Sequence, residues 1–128
     1  VIVVDASAVI AILNEESGYE QLAARLASSS IRFISPVSWL EVAMALARKY
    51  KEPTAIADAY LQRAEIRVRS IDAIQADWAR SAFLLFGKGR HPARLNLGDC
   101  FSYAAAKALN APLLYVGDDF SKTDIRTA

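Results

Sequence analysis

The chain opens on four branched apolar residues, Val1 to Val4, and an acid, Asp5, ends the run. So short a run, rich in valine and isoleucine, reads as a strand buried on both faces rather than as a helix. A second run of this kind, Leu113 to Val116, is followed by Gly117, Asp118 and Asp119. "IRFIS" from Ile31 and "IRVRSI" from Ile66 supply two more short strands. Helical patterns separate these strands, and strands alternating with helices predict a parallel sheet with helices on both faces. The expectation is an α/β fold with a central, mainly parallel sheet of four to five short strands. Such sheets bind ligands outside the carboxyl ends of their strands. Asp5 and the pair Asp118–Asp119 fall at that edge.

The intervening segments carry their own start signals. "ASAVIAIL" reads as a short helix after Asp5, which is placed to cap it. "SGYE" matches a capping box from Ser17 to Glu20 and predicts a helix presenting Tyr19, Leu22, Ala23 and Leu26. Ser35 and Pro36 are an N-cap and first helical residue, opening an apolar helix to about Lys49. A helix from about Thr54 to Glu65 turns Ile56, Tyr60 and Ala64 inward. Asp72 caps another, with Ile74, Trp78, Ala82 and Leu85 on one stripe. "GKGRHPARLN", Gly87 to Asn96, is a loop, since two glycines and a proline forbid regular structure. Gly98 and Asp99 open a last long helix, to about Asn110.

Neither a repeat nor a linker interrupts the 128 residues, so one domain spanning 1–128 is expected. No segment approaches the roughly 20 apolar residues of a membrane span. The N-terminal run lacks a basic lead-in and is not read as a signal peptide. A single cysteine, Cys100, excludes an internal disulfide and fits a reducing cytoplasm. A single histidine, His91, excludes a Cys/His zinc site. The net charge of +1 selects no partner, so charge placement carries the argument.

The acids are placed unevenly. Asp5 and Asp119 end strands, Asp99 lies in a helix's first turn, and Glu41 is the only acid in the helix after Pro36. Each has a structural reading. Asp5 and Asp99 suit helix starts, Glu41 can pair with a lysine or arginine, and "GDD" can be a turn. Jointly they point to one acidic pocket at the sheet edge. Carboxylates side by side resist ionising without a counter-charge, and oxygen-only donors favour Mg²⁺ or Mn²⁺. Such a cation activates water and stabilises a leaving oxyanion. Lys88, Arg90, His91 and Arg94 fall in the loop before Asp99, and Arg48, Lys49 and Lys51 end the helix of Glu41. The loop cations are either solvated or positioned for phosphates along a nucleic acid. An acidic pocket with basic neighbours suggests phosphodiester hydrolysis.

With these residues in hand, the chain resembles the PIN-domain ribonucleases, and more closely the VapC toxins of bacterial type II toxin–antitoxin pairs. "VIVVDASAVIAIL", "SPVSWLEVAMAL", "LNLGDCFSYAAAK" and "LLYVGDDFSKTDI" are similar to that family's four blocks, in order and across almost the whole chain. The resemblance implies a three-layer α/β/α sandwich and a Mg²⁺- or Mn²⁺-dependent endoribonuclease cutting structured RNA, such as tRNA or rRNA. It also implies a cytoplasmic homodimer, neutralised by a VapB-type antitoxin that alone brings the complex to operon DNA. Asp5, Glu41, Asp99 and Asp119 match the family's catalytic, metal-holding acids. Asp118 falls on a variable position, Asp124 matches an outer acid, and Ser7 matches a small hydroxyl beside the first aspartate. The alternative is a catalytically weak RNA-binding module that regulates through its antitoxin. A receiver-like phospho-acceptor also has acids at strand ends, but Lys122 is poorly placed for it.

Overall fold

A computed structural model describes residues 1–128. Four parallel strands, β1 (Ile2–Val4), β2 (Arg32–Ile34), β3 (Ile66–Val68) and β4 (Leu113–Leu114), form one sheet in the order β3-β2-β1-β4. Val3 lies opposite Phe33 on one side and Leu113 on the other. The C-terminal residues extend the free edge of β4: Leu113 N–H donates to the carbonyl of Arg126, and Ala128 N–H donates back to Leu113. The chain builds outward from β1 through β2 to β3, then returns to place β4 on the opposite side of β1. The topological switch point therefore lies between the carboxyl ends of β1 and β4, where α/β sheets hold their ligands.

Side chains alternate across the sheet, so β1 feeds both faces. Ile2 and Val4 join a core with α1 (Ala6–Leu13), α2 (Tyr19–Ala27), α3 (Pro36–Ala47) and α4 (Pro53–Arg63). Val3 joins the other core with α5 (Ala73–Phe86) and α6 (Leu97–Leu109). The three layers and the parallel sheet bear out the expected architecture.

Several local expectations shift. Ser17 does not cap α2. Gly18 takes that place with φ of +87°, a left-handed conformation glycine adopts without a Cβ penalty. Asn96, rather than the Gly98–Asp99 pair, starts α6. Of the expected α5 stripe only Ala82 is buried, and Ile74, Trp78 and Leu85 turn outward. Ile74 is 63% and Leu85 60% exposed, while Gln75, Ala79 and Ala82 are buried. Apolar residues surround much of α5, and its small residues allow close packing on the alanines of α6 (Ala104, Ala105 and Ala106, all buried). The Gly87–Asn96 loop is tied down, with Leu95 N–H donating to Phe86 O and Lys88 N–H to Leu95 O. Its Ala93 and Leu95 are fully buried.

Candidate metal centre

Asp5 follows the last residue of β1 and is only 4% exposed, so its carboxylate needs partners. Its own backbone N–H donates to Leu114 O of β4 at 2.9 Å, which locks it to the switch point. Its Oδ2 caps α1, accepting from the Ser7 amide at 3.0 Å and the Ser7 hydroxyl at 2.6 Å. Its Oδ1 accepts from the hydroxyl of Ser102, on α6, at 2.5 Å. Ser7 Oγ in turn accepts from Val116 N–H at 3.0 Å, fastening α1 to the segment after β4.

Asp99 completes a capping box in the first turn of α6. Asn96 Oδ1 accepts from Asp99 N–H at 2.9 Å, and Asp99 Oδ2 accepts from Asn96 N–H at 3.1 Å. Its helix-start role is therefore real, and the carboxylate still lines the same cleft as Asp5. Glu41 reaches that cleft from α3. Its carboxylate lies directly over Gly98, where a Cβ would fall 2.3 Å from Oε1. Gly98 is thus what allows α3 and α6 to bring Glu41 and Asp99 together.

Asp5, Glu41 and Asp99 line one cleft of about 330 Å³ with Ser7, Ile10, Met44 and Arg48. No ion pair neutralises them. The chain's two ion pairs, Arg80–Asp77 and Lys107–Asp124, lie elsewhere, and Arg48 lines the cleft without closing on an acid. Burial, reinforced by the charges of Asp5 and Asp99, raises the Glu41 carboxyl to about 7. Burial also raises Asp99 to about 6; the Asn96 amide opposes this, and the charges of Asp5 and Asp119 add to it. Three carboxyl groups that repel one another, none of them closed into an ion pair, fit a hard divalent cation. They do not close into a ready-made cage of three ligands. An open cleft suits a cation such as Mg²⁺, which keeps several waters and is held through one or two carboxylates.

The remaining expected residues divide. Asp119 is exposed and does not line the cleft, but its charge reaches Asp99. Asp118 is exposed, and its carbonyl accepts from Ser121 Oγ. Asp124 is turned to α6, where Tyr103 Oη and Lys107 Nζ each donate to it at 2.7 Å. Lys88, Arg90 and Arg94 are exposed. His91 serves its own loop: Nδ1 accepts from Ala93 N–H, and the ring stands edge-on to Phe86 at 5.1 Å. Sequence reasoning passed over Ser102 and Ser38, whose hydroxyls lie 2.7 Å apart. The available signal was spacing: each lies three residues from an acid, in a helix otherwise poor in polar groups. A second cavity of about 380 Å³ between α5 and α6, lined by Ala79, Phe83, Leu95 and Phe101 among others, contains no carboxylate.

The PIN domain family matches residues 2–126. Ribonuclease VapC30 of Mycobacterium tuberculosis is 44% identical over 98% of this chain and 96% of its own. Among solved structures, VapC20 of M. tuberculosis, described as a Sarcin-Ricin loop cleaving toxin, superposes with a TM-score of 0.77 at 22% identity, covering 100% of this chain and 98% of its own. VapBC2 of Rickettsia felis, bound to a DNA fragment from its promoter, gives 0.72 at 17% identity, covering 99% and 96%.

The raised carboxyls make stability depend on pH. Glu41 and Asp99 keep protons in the folded chain that the unfolded chain loses near 4.5 and 3.8. Their contribution is fully present below those values and is lost as pH rises through about 6 and about 7. Urea titration of cation-free protein is expected to give a lower midpoint at about pH 8 than at about pH 5, with Mg²⁺ restoring it mainly at the higher pH. A midpoint that rises over this range, with no Mg²⁺ response, contradicts the reading.

Proposed function

Because the chain belongs to the PIN-domain family, among the VapC ribonuclease toxins, we propose that it is a Mg²⁺- or Mn²⁺-dependent endoribonuclease whose cation is held by Asp5, Glu41 and Asp99, with Asp119 at the margin. The observation that carries this reading is the convergence of three acids on one cleft with none of them in an ion pair. When bound, the cation supplies an activated water and charge to offset the leaving oxygen. The chain's own residues do the rest. Asp5 is held in one orientation by its hydrogen bonds from Ser7 and Ser102, and Glu41 and Asp99 would supply the other carboxylate oxygens to the cation. Arg48, on the cleft wall and free of acid partners, is placed to meet a phosphate of the RNA. Lys88, Arg90 and Arg94 are solvent-facing cations of the loop before α6, open to contact with an RNA backbone.

The substrate class proposed is structured RNA, tRNA or rRNA. VapC20, a structural relative and a Sarcin-Ricin loop cleaving toxin, supports this class. A VapB-type antitoxin partner, with operon DNA reached through it, is supported by the R. felis complex. A homodimer is supported by the apolar surface of α5, where Ile74, Leu84 and Leu85 are each more than half exposed. No helix is long and apolar enough to cross a membrane, and a cytoplasmic site of action is proposed with the RNA substrate.

Asp5→Asn and Asp99→Asn are each expected to lower RNA cleavage by at least about 100-fold while retaining the circular dichroism spectrum, and EDTA is expected to abolish wild-type cleavage. Full cleavage by both variants, or cleavage indifferent to EDTA, contradicts the mechanism. Gly98→Ala separates fold from site. Alanine gains about 1 kcal/mol of helix propensity over glycine, and the atoms it strikes are the end of a flexible side chain. The melting temperature is therefore expected to hold while displacement of Glu41 cuts cleavage about tenfold or more. Wild-type activity in this variant shows that Glu41's position is unimportant.

A further inference from the structure

Ser38 and Ser102 are fully buried, each 0% exposed, at the contact between α3 and α6. A serine has one hydroxyl proton. That of Ser102 is committed to Asp5 Oδ1, so in the 2.7 Å contact between the two serines Ser38 is the donor. The relay therefore runs in one direction, from Ser38 through Ser102 to Asp5. On the other side, Oδ2 of Asp5 accepts both the amide and the hydroxyl of Ser7. A carboxylate offers about four lone-pair sites. Three are filled by the protein, and the one that remains belongs to Oδ1.

We propose that Ser102, backed by Ser38, is a positioning residue that makes Asp5 meet its cation through Oδ1 alone and in one orientation. The same pair sets the register of the two helices that carry the other acids. Ser38 lies one turn before Glu41 on α3, and Ser102 one turn after Asp99 on α6. The bond that orients Asp5 thus also brings Glu41 and Asp99 to a fixed separation, with Gly98 leaving room between them. Packing does not require these hydroxyls. Alanine would fill both positions, and the neighbouring Ala104, Ala105 and Ala106 do so on the same helix. A buried hydroxyl is costly unless bonded, and here its acceptor is the carboxylate of the cleft.

This inference rests on the cation reading, and its test separates the two. Mn²⁺ binding to the full chain is measured by calorimetry, beside the melting temperature and steady-state RNA cleavage. Ser102→Ala is expected to weaken Mn²⁺ binding about tenfold and to lower kcat with KM for RNA unchanged. Ser38→Ala, which leaves the bond to Asp5 in place, is expected to weaken binding only about two- to threefold, and the double variant no further than Ser102→Ala, because Ser38 acts through Ser102. If Ser102→Ala does not fold, Ser102→Cys keeps a weak donor of similar size and is expected to bind with intermediate affinity. Mn²⁺ affinity within about twofold of wild type in the folded Ser102 variant overturns the relay, whatever the melting temperature does. Absence of any wild-type Mn²⁺ binding that Asp99→Asn removes overturns the cation reading and the relay together.

Discussion

Asp5 is a buried carboxyl at the carboxyl end of β1, and the surrounding elements are arranged to satisfy its oxygens. Its backbone joins β1 to β4, its Oδ2 caps α1, and its Oδ1 receives a hydroxyl from α6. A buried carboxylate without such donors would be expected to take up a proton. Satisfying it fixes four elements relative to one another at the switch point. Ser7 then extends the arrangement to the segment after β4, and Ser102 extends it to α3 through Ser38. Cleft and fold are in this sense one construction, since the bonds that orient Asp5 also place the helices bearing Glu41 and Asp99.

The electrostatics point the same way. Asp5 is supported by donors, whereas Glu41 and Asp99 are pushed upward by burial and by their acidic neighbours. Asp124 shows the contrasting case in the same molecule. Burial would raise it, but the hydrogen bonds from Lys107 and Tyr103 outweigh that and hold it below its ordinary value. Asp124 is thus closed by a cation of the protein itself, which Asp5, Glu41 and Asp99 lack. Acids left facing one another across an open cleft have room for a cation from outside the chain, and that contrast underlies the proposed ribonuclease chemistry.

The architecture was legible because its signals are local and repeated. Short apolar runs separated by helical patterns admit few arrangements, and acids that interrupt apolar runs stand out, as Asp5 and Glu41 do. Which face of α5 turns inward was not legible. Ile74, Trp78, Ala82 and Leu85 carry the stronger periodic signal, but of these only Ala82 is buried, because with Ala79 it allows the closer approach to α6, and close packing decides. The start of α2 was misread because a matching Ser17–Glu20 spacing does not reveal that Gly18 takes a left-handed turn. Ser102 was passed over because a serine among alanines looks neutral until the fold brings it to Asp5, 97 residues away in sequence.

The proposed ribonuclease chemistry requires that the cleft formed by the end of β1, α1, α3 and the start of α6 bind a hard divalent cation through carboxylate oxygens. Anomalous diffraction from crystals grown with Mn²⁺ tests it most directly. A strong peak is expected in the cleft within ligating distance, about 2.0–2.3 Å, of Asp5 Oδ1 and at least one of Glu41 and Asp99. A cleft without a peak at saturating Mn²⁺, or a peak bound only through Asp118 or Asp124, would contradict it.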